Sequence, residues 1–230
     1  MNHAADEYRV IVTRKPVRNA RMRVMPDGTV RITAPKGGFD TTAFVAEKTD
    51  WIAARQAEMN RMAAGCTTPA DQMLLLGTGY TVREGDSCHT DHHQHVIIAP
   101  NPAALRAHLT ADFRTLITAS VTARAEEMGV SYGRCSIRMQ KTRWGGSCSS
   151  AGNLNMNLRL YALPIHLRDY VVVHELAHRK ELNHSPAFWS EVAAYYPAYR
   201  NAEADLRRYW VAIERNHWWS ALQEQNRGER

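Results

Sequence analysis

Three histidines and one glutamate in the stretch YVVVHELAHRKELNHSPAFW, residues 170–189, have the types and spacing of a metal-dependent hydrolytic site. On a helix with 3.6 residues per turn, His174 and His178 lie one above the other, so both imidazoles can bind one cation. Glu175 is rotated by about 100° from His174, which places its carboxylate beside that cation rather than on it. We therefore expect two metal ligands and, in Glu175, a general base that takes a proton from water.

The third histidine requires the helix to end. If the helix continued, His184 would lie about 9 Å further along the axis and about 240° around from His178, too far to share the ion. We predict that Asn183 turns the chain in the left-handed region and that Pro186 biases Ser185 away from helical geometry. Ser185 then caps a new helix with Pro186 at its first position. With His184 as third ligand, a fourth Zn²⁺ position stays open, as in catalytic sites.

Chance and structural zinc are the two competing explanations of these histidines. With 11 His and 13 Glu among 230 residues, about 0.03 matches to H-E-x-x-H are expected by chance. A structural zinc site normally recruits a fourth protein ligand, usually cysteine, and does not need Glu175. The pattern therefore favours catalysis.

The elements that must position this site fall into two parts. In the first, ARMRVM and TVRITAP, joined by the turn P-D-G, predict a β-hairpin, and Asp40 caps a predicted helix through residue 63. MLLLG, YTV and HVIIAP predict short strands. In the second part, an amphipathic helix runs from Pro102 to Gly129, and strands CSIRMQ and NLNMNLRLY bracket the loop KTRWGGSCSSAG. Pro164 begins the helix that carries the histidines.

This order of elements predicts an α+β fold, with an N-terminal lobe of β-hairpin and helix and a helical C-terminal part with a small sheet. We expect a single domain over residues 8–215, in which 8–100 form a mainly β lobe with one helix and 101–215 the catalytic helical part. Residues 216–230 are expected to be a tail.

Composition restricts the location of the protein. The four cysteines form no C-x-x-C pair, so reduced thiols are the default. The N-terminal residues lack the apolar run of a signal peptide, and no apolar stretch is long enough for a membrane span. We expect a cytoplasmic protein without membrane contact.

Positive charge is concentrated in residues 8–36, which hold eight Lys or Arg against one acid, Asp27. Such a surface attracts polyanions, either nucleic acid or nucleotide phosphates. The alternative is a solvated strand face whose basic residues blunt an exposed sheet edge. The sequence favours the solvated strand face, because no aromatic stacking pattern accompanies the charge, and leaves a weak contact with nucleic acid as the alternative.

The segments RMQKTRWGGSCSSAGNLNMNLRL and YVVVHELAHRKELNHSPAFW, with VMPDGTVRITAP and D-W-I at residues 50–52, resemble the YgjP-like metallopeptidase family. This family is related to the WLM and SprT-like zinc proteases. The resemblance implies a zincin-like fold, zinc ligands at His174, His178 and His184, and a general base at Glu175. Some members act as pyrophosphatases on UTP, and the WLM and SprT-like relatives cleave proteins crosslinked to DNA.

Two segments depart from the family pattern. The loop usually reads R-W-G-S-C-S, whereas residues 143–148 read R-W-G-G-S-C, with one glycine more. Arg143 in this loop is a candidate catalytic residue that steadies charge developing on the substrate, or else a loop anchor. The segment SCHTDHHQH, residues 87–95, holds four histidines and one cysteine, which fits either a second metal site or a polar hairpin loop.

Taken together, the sequence predicts a zinc-dependent hydrolase, with a metallopeptidase acting on protein or peptide as the first hypothesis. A nucleoside triphosphate (UTP) pyrophosphatase is the first alternative, because three histidines and a carboxylate do not distinguish the two reactions. A nucleic-acid-associated protein with structural zinc is the second. The presence of Glu175 argues against that last hypothesis.

Overall fold

The computed structural model describes residues 8–140 and 145–225. The chain divides into two compact units, Met1–Gly65 and Cys66–Arg230. The division therefore falls after residue 65, and not between 100 and 101 as the expected lobes had it. Each unit has a hydrophobic cluster of its own.

The first unit is a three-stranded sheet with two helices. Its elements are β1 (Val10–Lys15), β2 (Arg21–Val24), β3 (Val30–Pro35), α1 (Thr41–Glu47) and α2 (Thr49–Ala63). The strand order is β1-β3-β2, in which β2 and β3 form the expected hairpin and β1 runs parallel to β3. The single helix expected after Asp40 is two helices, which meet at Lys48.

One face of this sheet forms the core of the first unit. Val30, Ile32 and Ala34 alternate along β3 and are buried, because successive strand residues point to opposite faces. Val45 of α1 and Ile52 of α2 belong to the same buried cluster. The helices therefore cover the inner face of the sheet.

The second unit contains two small sheets and the longer helices. Its elements are β4 (Gln72–Leu75), β5 (Thr78–Glu84), β6 (His89–Asp91), β7 (Val96–Ala99), α3 (Pro102–Glu127), β8 (Cys135–Arg138), β9 (Gly146–Cys148), β10 (Leu154–Asn157), a 3-10 helix (Leu158–Ala162), α4 (Ile165–Ala177), α5 (Pro186–Tyr195), α6 (Tyr199–Arg215) and α7 (His217–Gln225). The sheets have the orders β4-β5-β7-β6 and β8-β10-β9. In the second sheet β10 is parallel to β8 and antiparallel to β9.

Helix α3 is the long central helix that the sequence predicts. Leu105, Leu109, Phe113 and Ile117 are buried along one face, as their spacing indicates. Gly129, with φ of 62°, follows the helix in the left-handed conformation expected there. Helix α3 packs against α4, α7 and the 3-10 helix, so it supports the helix that carries the histidines.

The described part of the expected tail, residues 216–225, is not a tail, and residues 226–230 lie outside the described residues. Helix α7 occupies 217–225, and its Trp219 and Leu222 are fully buried in the core of the second unit. The indole N–H of Trp219 donates a hydrogen bond of 2.7 Å to the carbonyl of Leu74 on β4. Sequence alone missed this helix because its polar end resembles a frayed terminus.

The architecture confirms the α+β class, with His174 and Glu175 of the H-E-x-x-H sequence on helix α4 and His178 as its C-cap. Across residues 8–140 and 145–225, none of the helices combines the length and apolar character that a membrane crossing needs.

The turn between β4 and β5 docks on the segment that leads into α4. Leu76 and Gly77 both have positive φ, at 53° and 83°, as a two-residue hairpin turn requires. Their amides donate to the carbonyls of Tyr161 and Ala162 in the 3-10 helix, each at 2.8 Å. An added Cβ on Gly77 would lie 2.9 Å from the Cβ of Pro164.

We expect Gly77→Ala to lower the free energy of unfolding by about 1–3 kcal/mol, because alanine is strained at positive φ and meets Pro164. Gly37→Ala is the matched control: nothing lies within 4 Å of its added Cβ, and it should change stability by less than about 0.5 kcal/mol. Chemical denaturation followed by tryptophan fluorescence measures both. Equal stability of the two variants would contradict the docking role of this turn.

Candidate metal centre

Helix α4 is held in the core of the second unit on most of its sides. Val172, Val173, Leu176 and Ala177 are fully buried, and the helix contacts α3, α5, α6 and β9. His174 and His178 are half-buried one turn apart. The helix therefore presents its two imidazoles from a rigid support.

The three predicted histidines converge. One ring nitrogen from each of His174, His178 and His184 lies within 4.8 Å of the other two. The Nε2 atoms of His174 and His184 are 3.1 Å apart. Two nitrogens bound at about 2.0–2.1 Å to one tetrahedral zinc lie about 3.3 Å from each other, so this donor set fits such an ion.

Burial keeps His174 and His178 in the neutral form that a metal requires. Burial, and then the proximity of His178 and His184, lower the pKa of His174 to about 3. Burial also lowers the pKa of His178. A neutral imidazole offers a lone pair to a cation, whereas a protonated one does not.

The outer ring nitrogens have partners that orient the rings. Nδ1 of His178 lies 3.0 Å from the carbonyl oxygen of Glu181, which can only accept, so Nδ1 carries the hydrogen and Nε2 the lone pair. Nδ1 of His174 lies 3.4 Å from the hydroxyl of Tyr170. Both contacts direct Nε2 towards the other histidines.

His184 reaches the cluster by a different turn from the one expected. Helix α4 ends at Ala177, directly before His178. Among the described residues, positive φ at a non-glycine residue occurs at Leu76 and His95, so the predicted left-handed Asn183 is wrong. Instead, the amide of Ser185 donates to the carbonyl of Asn183 at 2.8 Å, which makes His184 the centre of a three-residue turn.

The helix start after this turn agrees with the sequence prediction. Ser185 is the N-cap of α5, its hydroxyl oxygen accepts from the amide of Phe188 at 3.2 Å, and Pro186 is the first helical residue. The cap fixes the chain immediately after His184. It therefore limits where that imidazole can lie.

The ring of Phe188 packs against all three imidazoles, a role that the sequence did not reveal. The ring is fully buried, and its centroid lies 4.6 Å from that of His178, 4.8 Å from His184 and 5.0 Å from His174. Trp189, which resembles a core residue by its spacing, is half-buried and stacks on His184 at 5.8 Å.

Glu175 is buried, with 6% of its surface exposed, and the metal-ligating cluster does not include it. Its Oε1 accepts a hydrogen bond of 3.1 Å from the amide of Gly146 on β9. An added Cβ on Gly146 would lie 2.9 Å from the Asn155 carbonyl oxygen and 3.1 Å from the carboxyl carbon of Glu175. Only glycine permits this approach. The one indication of this contact in the sequence was the extra glycine in the loop of residues 143–148.

Arg179 fixes the hairpin that carries Gly146. It follows α4, and its Nε donates to the carbonyl of Ser131 at 2.9 Å while Nη1 donates to that of Ser150 at 3.1 Å. Ser150 lies in the β9–β10 connection. Arg179 therefore links the end of the histidine helix to the hairpin opposite Glu175.

Two predicted features do not join this site. Arg143 lies outside the described residues. Among the described residues, His174, His178 and His184 form the one group of three or more metal-ligating side chains, so 87–95 supplies no second metal site there. His89 and His92 instead line an open cavity of about 490 Å³ together with His108 and Asp112.

Comparison with known proteins gives one family and one solved structure. The profile of the YgjP-like metallopeptidase domain matches residues 18–209. The chain is also similar to the crystal structure of the metallopeptidase zymogen of Pyrococcus abyssi abylysin, with 25% sequence identity and a TM-score of 0.38. That match covers 44% of this chain and 97% of the other. No curated protein matches.

The contact of Gly146 with Glu175 gives a test. We expect Gly146→Ala to slow hydrolysis of an unfolded protein by about 10²-fold, because the new methyl group displaces the carboxylate, while metal content stays unchanged. Gly145→Ala is the matched control, since its added Cβ would make ordinary contacts of 3.7 Å with Glu175 and Val171. Activity assays with elemental analysis and thermal melts separate the effects. An alanine at 146 that leaves the rate intact would show that this contact does not position Glu175.

Proposed function

The chain belongs to the YgjP-like metallopeptidase domain family, and from this premise we propose that it is a zinc-dependent peptidase in which Glu175 is the general base. His174, His178 and His184 would hold the ion. The observation that carries the proposal is the convergence of three imidazole nitrogens within 4.8 Å beside a buried carboxylate that is not part of the cluster.

The donor set supports zinc as the metal. Three neutral nitrogen ligands without a thiolate leave a tetrahedral ion one open position, as catalytic zinc sites do. A structural site would normally fill that position with a fourth protein ligand, and none joins the cluster among the described residues. Bound zinc would supply Lewis acidity, both to a carbonyl oxygen and to a water molecule.

Glu175 would carry the proton transfers. The Gly146 amide holds Oε1, so the carboxylate keeps one orientation on the helix. In peptide hydrolysis the carboxylate accepts a proton from the attacking water and then delivers it to the departing amine nitrogen. Burial excludes bulk water from the carboxylate. The hydrogen bond that orients it is therefore electrostatically stronger than the same bond would be at the surface.

The turn at His184 and the ring of Phe188 would keep the three imidazoles in this geometry when no substrate is bound. Phe188 contacts all three rings, and the Ser185 cap fixes the residue that follows His184. A preorganised cluster loses little side-chain entropy when the ion binds. This supports a resident metal rather than one recruited with the substrate.

The substrate needs a direct screen, because the site chemistry suits both a peptide carbonyl and a phosphoryl group. The zinc-loaded protein should be offered an unfolded protein, a protein bound to DNA, and UTP. Family membership leads us to expect hydrolysis of protein. Turnover of UTP alone would replace the peptidase proposal with the pyrophosphatase alternative. The cytoplasmic location stays a prediction from the sequence.

We predict that Glu175→Gln slows hydrolysis by about 10²-fold or more, because glutamine keeps the shape of the side chain but cannot accept the proton. Zinc content and melting temperature should stay near wild type, since the imidazoles remain. Glu126→Gln removes the same charge from an exposed position on α3 and should change nothing. Wild-type turnover in the Glu175 variant would rule out this base and favour the structural-zinc hypothesis.

A further inference from the structure

The sheet of the first unit has an outer face that no helix of that unit covers. Because side chains alternate along a strand, Arg31 and Thr33 point away from the buried Val30, Ile32 and Ala34. Residues directly opposite each other on neighbouring strands share a face. The strand register therefore identifies every residue on the outer side.

Four cationic side chains lie on this outer face. Arg31 lies opposite Arg23 of β2 and Ile11 of β1, and Thr33 lies opposite Arg21 and Thr13. Lys15 lies opposite Pro35. We define the basic sheet face as the side chains of Lys15, Arg21, Arg23 and Arg31.

These cations are exposed and lack acidic partners. All four are exposed to solvent, and within the described part of the chain none has a carboxylate oxygen within 4.0 Å. Asp27, the one acid of residues 8–36, instead accepts the amide of Thr29 at 2.9 Å in the hairpin turn. No acid among residues 8–140 and 145–225 therefore forms an ion pair that neutralises the positive charge of the face.

Protection of the sheet edges does not account for all four cations. Lys15 on β1 and Arg21 and Arg23 on β2 lie on the two edge strands, where a charge discourages unwanted pairing. Arg31, however, is on the central strand β3, directly opposite Arg23 on β2. Two like charges in directly opposed positions destabilise a sheet. The arrangement suits a bound anion that neutralises both.

We propose that the basic sheet face binds the phosphate backbone of duplex nucleic acid. Residues two apart on a strand are about 6.6 Å apart and neighbouring strands about 4.8 Å, so the three arginines form a close group and Lys15 lies about 12–14 Å from Arg21 and Arg31. This spread matches a row of phosphates. Thr33, beside Arg21 and Arg31, and Thr13 on β1 add hydroxyl groups that donate to phosphate oxygens.

The side chains of this face argue against base-specific binding and against insertion into a membrane. It carries no aromatic side chain on which bases could stack, so binding is independent of sequence and of unpaired bases. Ile11 is its one large apolar side chain, which is too little to insert into a lipid interface. Charge complementarity with regularly repeated phosphates is the interaction that these residues support.

The test is the salt dependence of binding to a short mixed-sequence DNA duplex, measured by fluorescence anisotropy with the full chain. Four phosphate contacts predict a slope of about −3.6 in log K against log salt, so affinity should fall about 150-fold between about 50 and 200 mM salt. In Arg21→Gln/Arg23→Gln/Arg31→Gln, one contact remains and the same change should cost about 3.5-fold.

Two further variants serve as controls. Arg55→Gln/Arg61→Gln/Arg83→Gln removes the same charge from exposed positions outside the face and should keep the wild-type slope. Arg21→Lys/Arg23→Lys/Arg31→Lys keeps the charge and should also bind, because the contacts are to phosphate rather than to bases. Thermal melts establish that every variant is folded.

Several results would overturn the proposal. One is the absence of DNA binding by the wild type, and another is equal loss in the control triple variant. A third is loss of binding in the lysine variant. Preferential binding of polyglutamate, or of vesicles with anionic lipid, would assign the face to an acidic protein or to a membrane instead.

Discussion

The convergence of three imidazole nitrogens on one point is the constraint on which the rest of the second unit depends. His174 lies on α4, His178 is the C-cap of that helix, and His184 follows. Helix α4 therefore has to be rigid, and a tight turn has to follow its end. Imidazole rings packed this closely also need an apolar neighbour, which Phe188 supplies. Burial lowers the pKa of His174 to about 3, so this imidazole stays neutral and can bind a cation.

A second requirement is that the carboxylate beside the cluster stays out of it. Glu175 points towards β9, where the amide of Gly146 donates to it. The two ends of that hairpin are fixed differently: Gly146 pairs with Met156 of β10, and Arg179 binds the connection between the strands. The helix and the small sheet thus form one support for two functions, metal binding and proton transfer. The basic sheet face belongs to the first unit.

The parts of this site that follow from local rules could be predicted from sequence. The i, i+4 spacing of His174 and His178 and the Ser185 cap depend only on helix geometry. Asn183 was expected to be left-handed because its residue type permits that conformation. A three-residue turn centred on His184 instead brings this residue to the cluster without a positive φ. The roles of Gly146 and Phe188 depend on contacts between distant segments, and spacing carries no signal for them. The helix that buries Trp219 was missed because its polar end resembles a frayed terminus.

The central claim is that His174, His178 and His184 hold one metal ion while Glu175 stands beside it without binding it. Anomalous diffraction at the zinc edge, on crystals of the zinc-loaded protein, tests this most directly. We expect one strong peak at about 2.0–2.1 Å from a nitrogen of each histidine, with no oxygen of Glu175 bound to it. A peak coordinated by Glu175 or by a fourth protein side chain, or no peak between the histidines, would contradict the account.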